Sequence, residues 1–255
     1  MTLERRDWVA LGGALAVAAV CVRLGFWQLD RLHQRRARNA AVAAARQLAP
    51  LDLGRGVGLD AARDRRLHGG GRYDYAHQLV WHGRSYEGIP GVDLLTPLRL
   101  ADGGVVLVDR GWVPSPDAYH VDQSAYREAD SAEVWGLALV ASARSDANPA
   151  KLAAALPYPS LPFLLQELPP AALTPRAGMT STQAHPLPLG LRRWPAPELS
   201  DGPHLFYAIQ WFCFALIIGV GSVALVRQRA RETAGRGGTG RWEGNRGRPG
   251  SGNPV

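Results

Sequence analysis

Two apolar runs, residues 8–29 and 205–226, limit what this chain can fold into more than any other feature. The first holds one charge, Arg23, and the second holds none. A helix of either length spans about 33 Å, enough to cross a bilayer core with slight tilt. Phe26, Trp27 and Gln28 close the first run, and Gln210, Trp211 and Phe212 lie just inside the second. Related chemistry at facing ends predicts two antiparallel transmembrane helices flanking a β-rich extracytoplasmic domain, a membrane α+β fold.

The expected division is a cytoplasmic head (1–7), a first span (8–29), a β-rich outer domain (30–203), a second span (204–226) and a disordered basic tail (227–255). The outer domain opens with a helical extension over 30–48, which has neither Gly nor Pro. Most of the formal charge of +7 sits in the tail, where seven Arg stand against Glu232 and Glu243. The outer domain is nearly neutral, which excludes an electrostatic case for nucleic acid. Arg residues beside the second span place both termini in the cytoplasm, and a loop as long as 30–203 translocates largely regardless of charge. A cleaved signal peptide fits less well, because Gly25-Phe26-Trp27-Gln28 lacks small residues at a cleavage site. Both cysteines, Cys21 and Cys213, lie in the runs, so the outer domain must stand without disulfides.

Strand-like runs are expected at 72–81, 92–100, 105–112, 133–143 and 163–168, with a short helix at 150–156. Asp102-Gly103 predicts a hairpin between the second and third. Residues 50–66 read as a loop, and the proline-rich stretch 157–203 as mostly irregular.

No HExxH, CxxC, GxSxG or phosphate-loop pattern occurs, so no enzymatic set is legible. His204 opens the second span, with Tyr207 and Trp211 following at helical spacing. Imidazole at the water edge of a ring-lined stripe suits an axial ligand to haem iron, and Arg31 suits its propionates. The same residue types also populate the ordinary interfacial belt. Gln28 and Gln210 need partners in hydrocarbon and serve either as helix glue or as ligand contacts. In the outer domain, Asp109 and Arg110 end a buried β-run before Gly111-Trp112-Val113-Pro114. Arg110 there suits an acidic partner or propionate, or a structural pairing with a nearby carboxylate.

Gly25-Phe26-Trp27-Gln28-Leu29-Asp30-Arg31 resembles the signature closing the first span of the Surfeit-locus cytochrome oxidase assembly proteins. Gly71-Arg72-Tyr73, Arg84, Gly88 with Gly91, Leu95-Thr96-Pro97-Leu98 and Val108-Asp109-Arg110-Gly111-Trp112-Val113-Pro114 are similar to its central blocks. His204-Leu205-Phe206-Tyr207-Ala208-Ile209-Gln210-Trp211-Phe212 resembles the block opening its second span. Asp109 stands where that family usually has Asn.

The resemblance implies a bacterial inner-membrane factor without enzymatic activity that assists assembly of haem-copper cytochrome c oxidase. Its partners would be the catalytic subunit, the machinery that makes or inserts haem a, and membrane lipid. Haem a is the implied cofactor, with His204 as iron ligand. Tyr207, Gln210, Trp211, Trp27, Gln28 and Arg31 would surround it, and Arg110 and Trp112 would serve a docking surface. The competing reading is a cofactor-free membrane scaffold that stabilises the nascent oxidase subunit.

Overall fold

The computed structural model describes residues 5–139, 148–170 and 187–238. They form two compact units, one of residues 1–37 with 200–255 and the other of residues 38–199.

Helix α1 (Arg5–Gln47), which belongs to the first unit up to Ala37, runs without a break through Asp30. The other long helix, α4 (His204–Gly238), begins at His204. Both are long and apolar enough to cross a membrane. Their outward faces carry Leu15, Val20, Phe26, Phe206, Ile209, Leu216, Ile217 and Val220, all exposed. Helix α4 continues twelve residues beyond Val226, into the stretch expected to be disordered. Residues 227–238 contain neither proline nor a β-branched run, and helix propagation needs only one new hydrogen bond per residue added. The rest of the expected tail, 239–255, lies outside the described residues.

The second unit is β-rich. Its strands are β1 (Leu51–Asp52), β2 (Arg66–Tyr73), β3 (Leu79–Tyr86), β4 (Ile89–Leu100), β5 (Val105–Pro114), β6 (Ser131–Leu139) and β7 (Leu164–Glu167). Two short helices, α2 (Leu59–Ala62) and α3 (Pro149–Ala153), lie between them. The sheet order is β1-β2-β6-β7-β5-β4-β3, and a further β2–β4 pairing joins Gly71–Tyr73 to Leu98–Leu100. That pairing closes a five-strand ring, β2-β6-β7-β5-β4, with β1 and β3 attached outside it. Only β5–β7 is parallel within the ring.

Alternation along the strands sorts the core. Val106, Val108, Leu98, Leu100, Val134 and Leu165 share one cluster with Phe163 and Tyr73. Leu107 and Leu164, one residue out of phase, pack with Leu95 in another. A register shift between Asp93 and Leu95 divides β4, so that Val92 and Leu94 join a third cluster with Val113 and Leu191.

The hairpin at Asp102-Gly103 forms as its sequence predicts: Gly103 takes φ +80° and Asp102 accepts from the Gly104 amide at 2.9 Å. The expected strand at 72–81 is instead the end of β2 and the start of β3, separated by a 3-10 turn at Tyr75–His77. The Asp74 carboxylate pulls the chain aside there, accepting from Arg99 at 2.7 Å, Tyr158 at 2.9 Å and the His77 ring at 3.0 Å. The expected loop at 50–66 contains β1 and α2. The expected strand at 133–143 starts at Ser131 and is described to Leu139; residues 140–143 lie outside the described set.

Candidate functional site

Helix α4 starts where Gly202 turns the chain at φ +70°, a conformation that favours glycine. Its amide bonds the Ser200 hydroxyl at 3.1 Å, and Tyr207 N closes the first helical turn on the Pro203 carbonyl at 3.1 Å. This presents His204 at the helix start, half-buried, with its Nδ1 2.9 Å from Gln28 Oε1. A carbonyl oxygen only accepts, so Nδ1 carries the proton, and in the neutral ring Nε2 then keeps its lone pair.

The surroundings follow from small residues in α1. A Cβ on Gly25 would lie 2.6 Å from the Phe212 ring, so glycine is what admits that ring. Phe212 also meets Phe26 edge-on at 5.3 Å between centroids. Ala208, one turn beyond His204, is buried. Beyond the pair, Arg35 Nε donates to the Ser200 carbonyl at 3.1 Å and Arg36 Nε to Asp201 at 2.8 Å. At the opposite ends of the helices, Arg229 pairs with Asp7.

Of the sequence-predicted residues, Gln28 and His204 are brought into contact. Trp27 and Tyr207 are 42% and 45% exposed, and Trp211 is half-buried beside Phe214. Arg31 lies over Trp27, 5.6 Å from ring centroid to guanidinium, and bonds Gln34 at 3.0 Å. Gln210 is exposed, because it falls on the face of α4 away from Ala208 and Phe212, so the amide of Gln28 is satisfied by His204 instead. Cys21 is buried and Cys213 exposed. Among the described residues no group of three or more His, Cys, Asp or Glu could hold a metal ion. A lone imidazole nitrogen can therefore hold only a metal that brings its other ligands with it.

In the β-rich unit, Arg110 and Trp112, expected at a docking surface, lie in the interior. Arg110 is fully buried and Trp112 is 4% exposed. Arg110 follows Val106 and Val108 on the inward face of β5, which carries its guanidinium into the ring. It donates to Glu128 through Nε at 2.8 Å and Nη2 at 2.6 Å, to Gln78 at 3.0 Å and to the Tyr126 carbonyl. Its guanidinium also lies 5.4 and 5.2 Å from the Tyr73 and Tyr75 ring centroids.

Arg193 extends the network, donating to Glu128 at 2.7 Å, Glu167 at 2.9 Å and the Arg110 carbonyl. Tyr73 donates to Glu167 at 3.1 Å. Burial pushes the Glu167 carboxyl up to about 7 against the pull of Arg193, and pushes the Tyr73 hydroxyl well above its usual value. Sequence reading passed over Arg193 because it lies in a proline-rich stretch. No local signal marks it: Arg193 is delivered by a backbone bridge between Arg192 and Trp112, which needs Gly111 at φ +114°.

The chain matches the SURF1 family over residues 15–216. It belongs to the SURF1 family. Uncharacterized SURF1-like proteins of Mycobacterium bovis and of two Mycobacterium tuberculosis strains are 30% identical to it over 252 residues, 91% of this chain and 90% of theirs. The SURF1 family is linked to cytochrome oxidase assembly. The match covers both long helices' facing ends and the whole ring, including Gln28, Arg110 and His204. The basic residues after 216 fall outside the SURF1 match.

Proposed function

We propose that this chain is an inner-membrane assembly factor for haem-copper cytochrome c oxidase that binds haem a through His204 and passes it to the catalytic subunit. The observation that carries the reading is the Gln28–His204 bond, which fixes the tautomer that leaves Nε2 free to ligate iron. Partners along α1 descend along α4: Asp7 meets Arg229, Gly25 meets Phe212, Gln28 meets His204 and Arg36 meets Asp201. That order supports an antiparallel pair crossing the membrane with Gln28 and His204 at one leaflet. The β-rich unit would be periplasmic and both termini cytoplasmic.

The donor set fits haem a, since the protein supplies one nitrogen and the macrocycle supplies four. Trp27, Tyr207 and Trp211 would offer it rings, and Arg31 a cation for its propionates. Bound haem a would supply the oxidase with its redox centre. The chain's own work is to hold, orient and release it, and no catalytic set accompanies the site. Delivery would also engage the machinery that makes or inserts haem a.

A cofactor-free scaffold for the nascent subunit is the second reading, favoured by the fact that Gln28 and His204 already satisfy each other. Purification from cells producing haem a separates the two. The expected result is a haem spectrum that His204→Ala abolishes; a colourless protein that still co-purifies with the oxidase subunit establishes the scaffold instead.

A further inference from the structure

On the outward side of the ring wall lies a cavity of about 430 Å³, bounded by β3, β5, β6, β7 and residues 194–198. Asp109 faces it, being in phase with Leu107 rather than with the inward Val106 and Val108. Its carboxyl is 1% exposed, and Oδ1 accepts the Gly111 amide at 3.0 Å. Among the described residues Oδ2 has no hydrogen-bond partner.

Arg84 enters the same cavity between two indoles, its guanidinium 4.2 Å from the Trp81 centroid and 5.0 Å from that of Trp194. Its Nε donates to Asp93 Oδ2 at 2.5 Å, and Trp194 Nε1 donates to Asp93 Oδ1 at 2.9 Å. Each Asp93 oxygen thus has a donor, while among the described residues the two Nη groups of Arg84 have no hydrogen-bond partner. Burial, with the charge of Asp93 adding to it, pushes Asp109 up to about 8 against Arg84 and Arg193, so at neutral pH its carboxyl is a donor. The guanidinium covers one face of each indole, and Glu198 is the other ionisable group in the lining. Unsatisfied donors from a fixed cation and a neutral acid, beside flat apolar walls, select an anion with a flat body.

We propose that this cavity binds a small organic acid, its carboxylate between Arg84 and Asp109 and its apolar body against Trp81, Trp194 and Pro195. The site is separate from His204 and stands whether or not haem is bound there. The carboxylate takes bonds from the Nη groups and from the Asp109 hydroxyl, and no covalent step is involved.

The test uses the full chain in nanodiscs and 2-naphthoate as probe, with 2-naphthylmethanol as its neutral counterpart, followed by titration calorimetry. The naphthoate is expected to bind about tenfold or more tightly than the alcohol, the worth of one or two charge-assisted bonds. Arg84→Gln is expected to lose that preference. Because it also strips Asp93 of its partner and so risks the fold, Asp109→Asn supplies an independent reading. The amide keeps a donor in the same shape, so the variant should bind naphthoate about as well at pH 7 and hold it at pH 9. The parent should weaken at pH 9 as Asp109 ionises beside Asp93, Arg84, Arg193 and Gln166. Absence of naphthoate binding, equal binding of acid and alcohol, or the same pH profile in parent and Asp109→Asn overturns the proposal.

Discussion

Arg193 donates through Nη1 to the backbone carbonyl of Arg110, so one buried guanidinium fastens the strand that delivers the other. Glu128 takes a bond from each on separate oxygens. Glu128 therefore offsets both cations inside a barrel that has no disulfide, and Glu167 adds its charge only as pH rises through about 7. Removing one member leaves an uncompensated buried charge, which costs about 3–5 kcal/mol. Glu128→Ala should lower the unfolding free energy of the full chain in micelles by that amount, read from tryptophan fluorescence in urea. A loss under about 1 kcal/mol would show that the network contributes little beyond packing.

The bridge at Trp112–Arg192 has its own weak point. Gly111 sits at φ +114°, and a Cβ there would collide with the Arg192 carbonyl. Gly111→Ala should cost about 2 kcal/mol or more from backbone strain and displaced chain. Proteolysis in the segment beyond 187 should rise before any change in β4–β5, which limited digestion with mass spectrometry resolves.

Stability should fall as pH rises. Asp109 and Glu167 hold their protons in the fold up to about 8 and about 7, against ordinary values of 3.8 and 4.5. Between those limits the folded state binds more protons than the unfolded chain, so each step up in pH favours unfolding. The contribution is full below about pH 4 and gone above about pH 8. Urea midpoints at pH 5, 7 and 9 should decline in that order, and the pair Asp109→Asn with Glu167→Gln should flatten the decline.

At the helix pair, Gln28→Leu removes the acceptor for His204 Nδ1 while keeping an apolar side chain in the contact. Loss of such an orienting partner lowers affinity for a bound metal about 10–100-fold, so haem titration followed by absorbance should weaken by that factor. The helices should lose only about 0.6–1.7 kcal/mol of association. Unchanged haem affinity would leave Gln28 as helix glue alone.

Much of this molecule is legible in its sequence because local chemistry decides it. The apolar runs become α1 and α4, Asp102-Gly103 becomes a hairpin, and the β-run before Gly111 becomes β5. Reading failed where a distant partner decides. Nothing near Arg110 in sequence shows that Glu128 and Arg193 will enclose it, so its docking and structural readings stand side by side. Likewise the 3-10 turn at Tyr75–His77 depends on Arg99 and Tyr158, which are remote in sequence from Asp74. At the helix pair the residues were legible and their pairing was not: Gln210 looks like the natural partner for Gln28, but helical phase turns it outward and gives that place to His204.

The pairing of β2 with β4 has a consequence for the company this domain keeps. Among the described residues only β1 and β3 lie outside the closed ring. The first is two residues long, and the second is broken by a bulge between Trp81 and Arg84. Neither offers a template on which a foreign strand can grow. The domain is thereby spared from being stitched into any unmatched strand it meets.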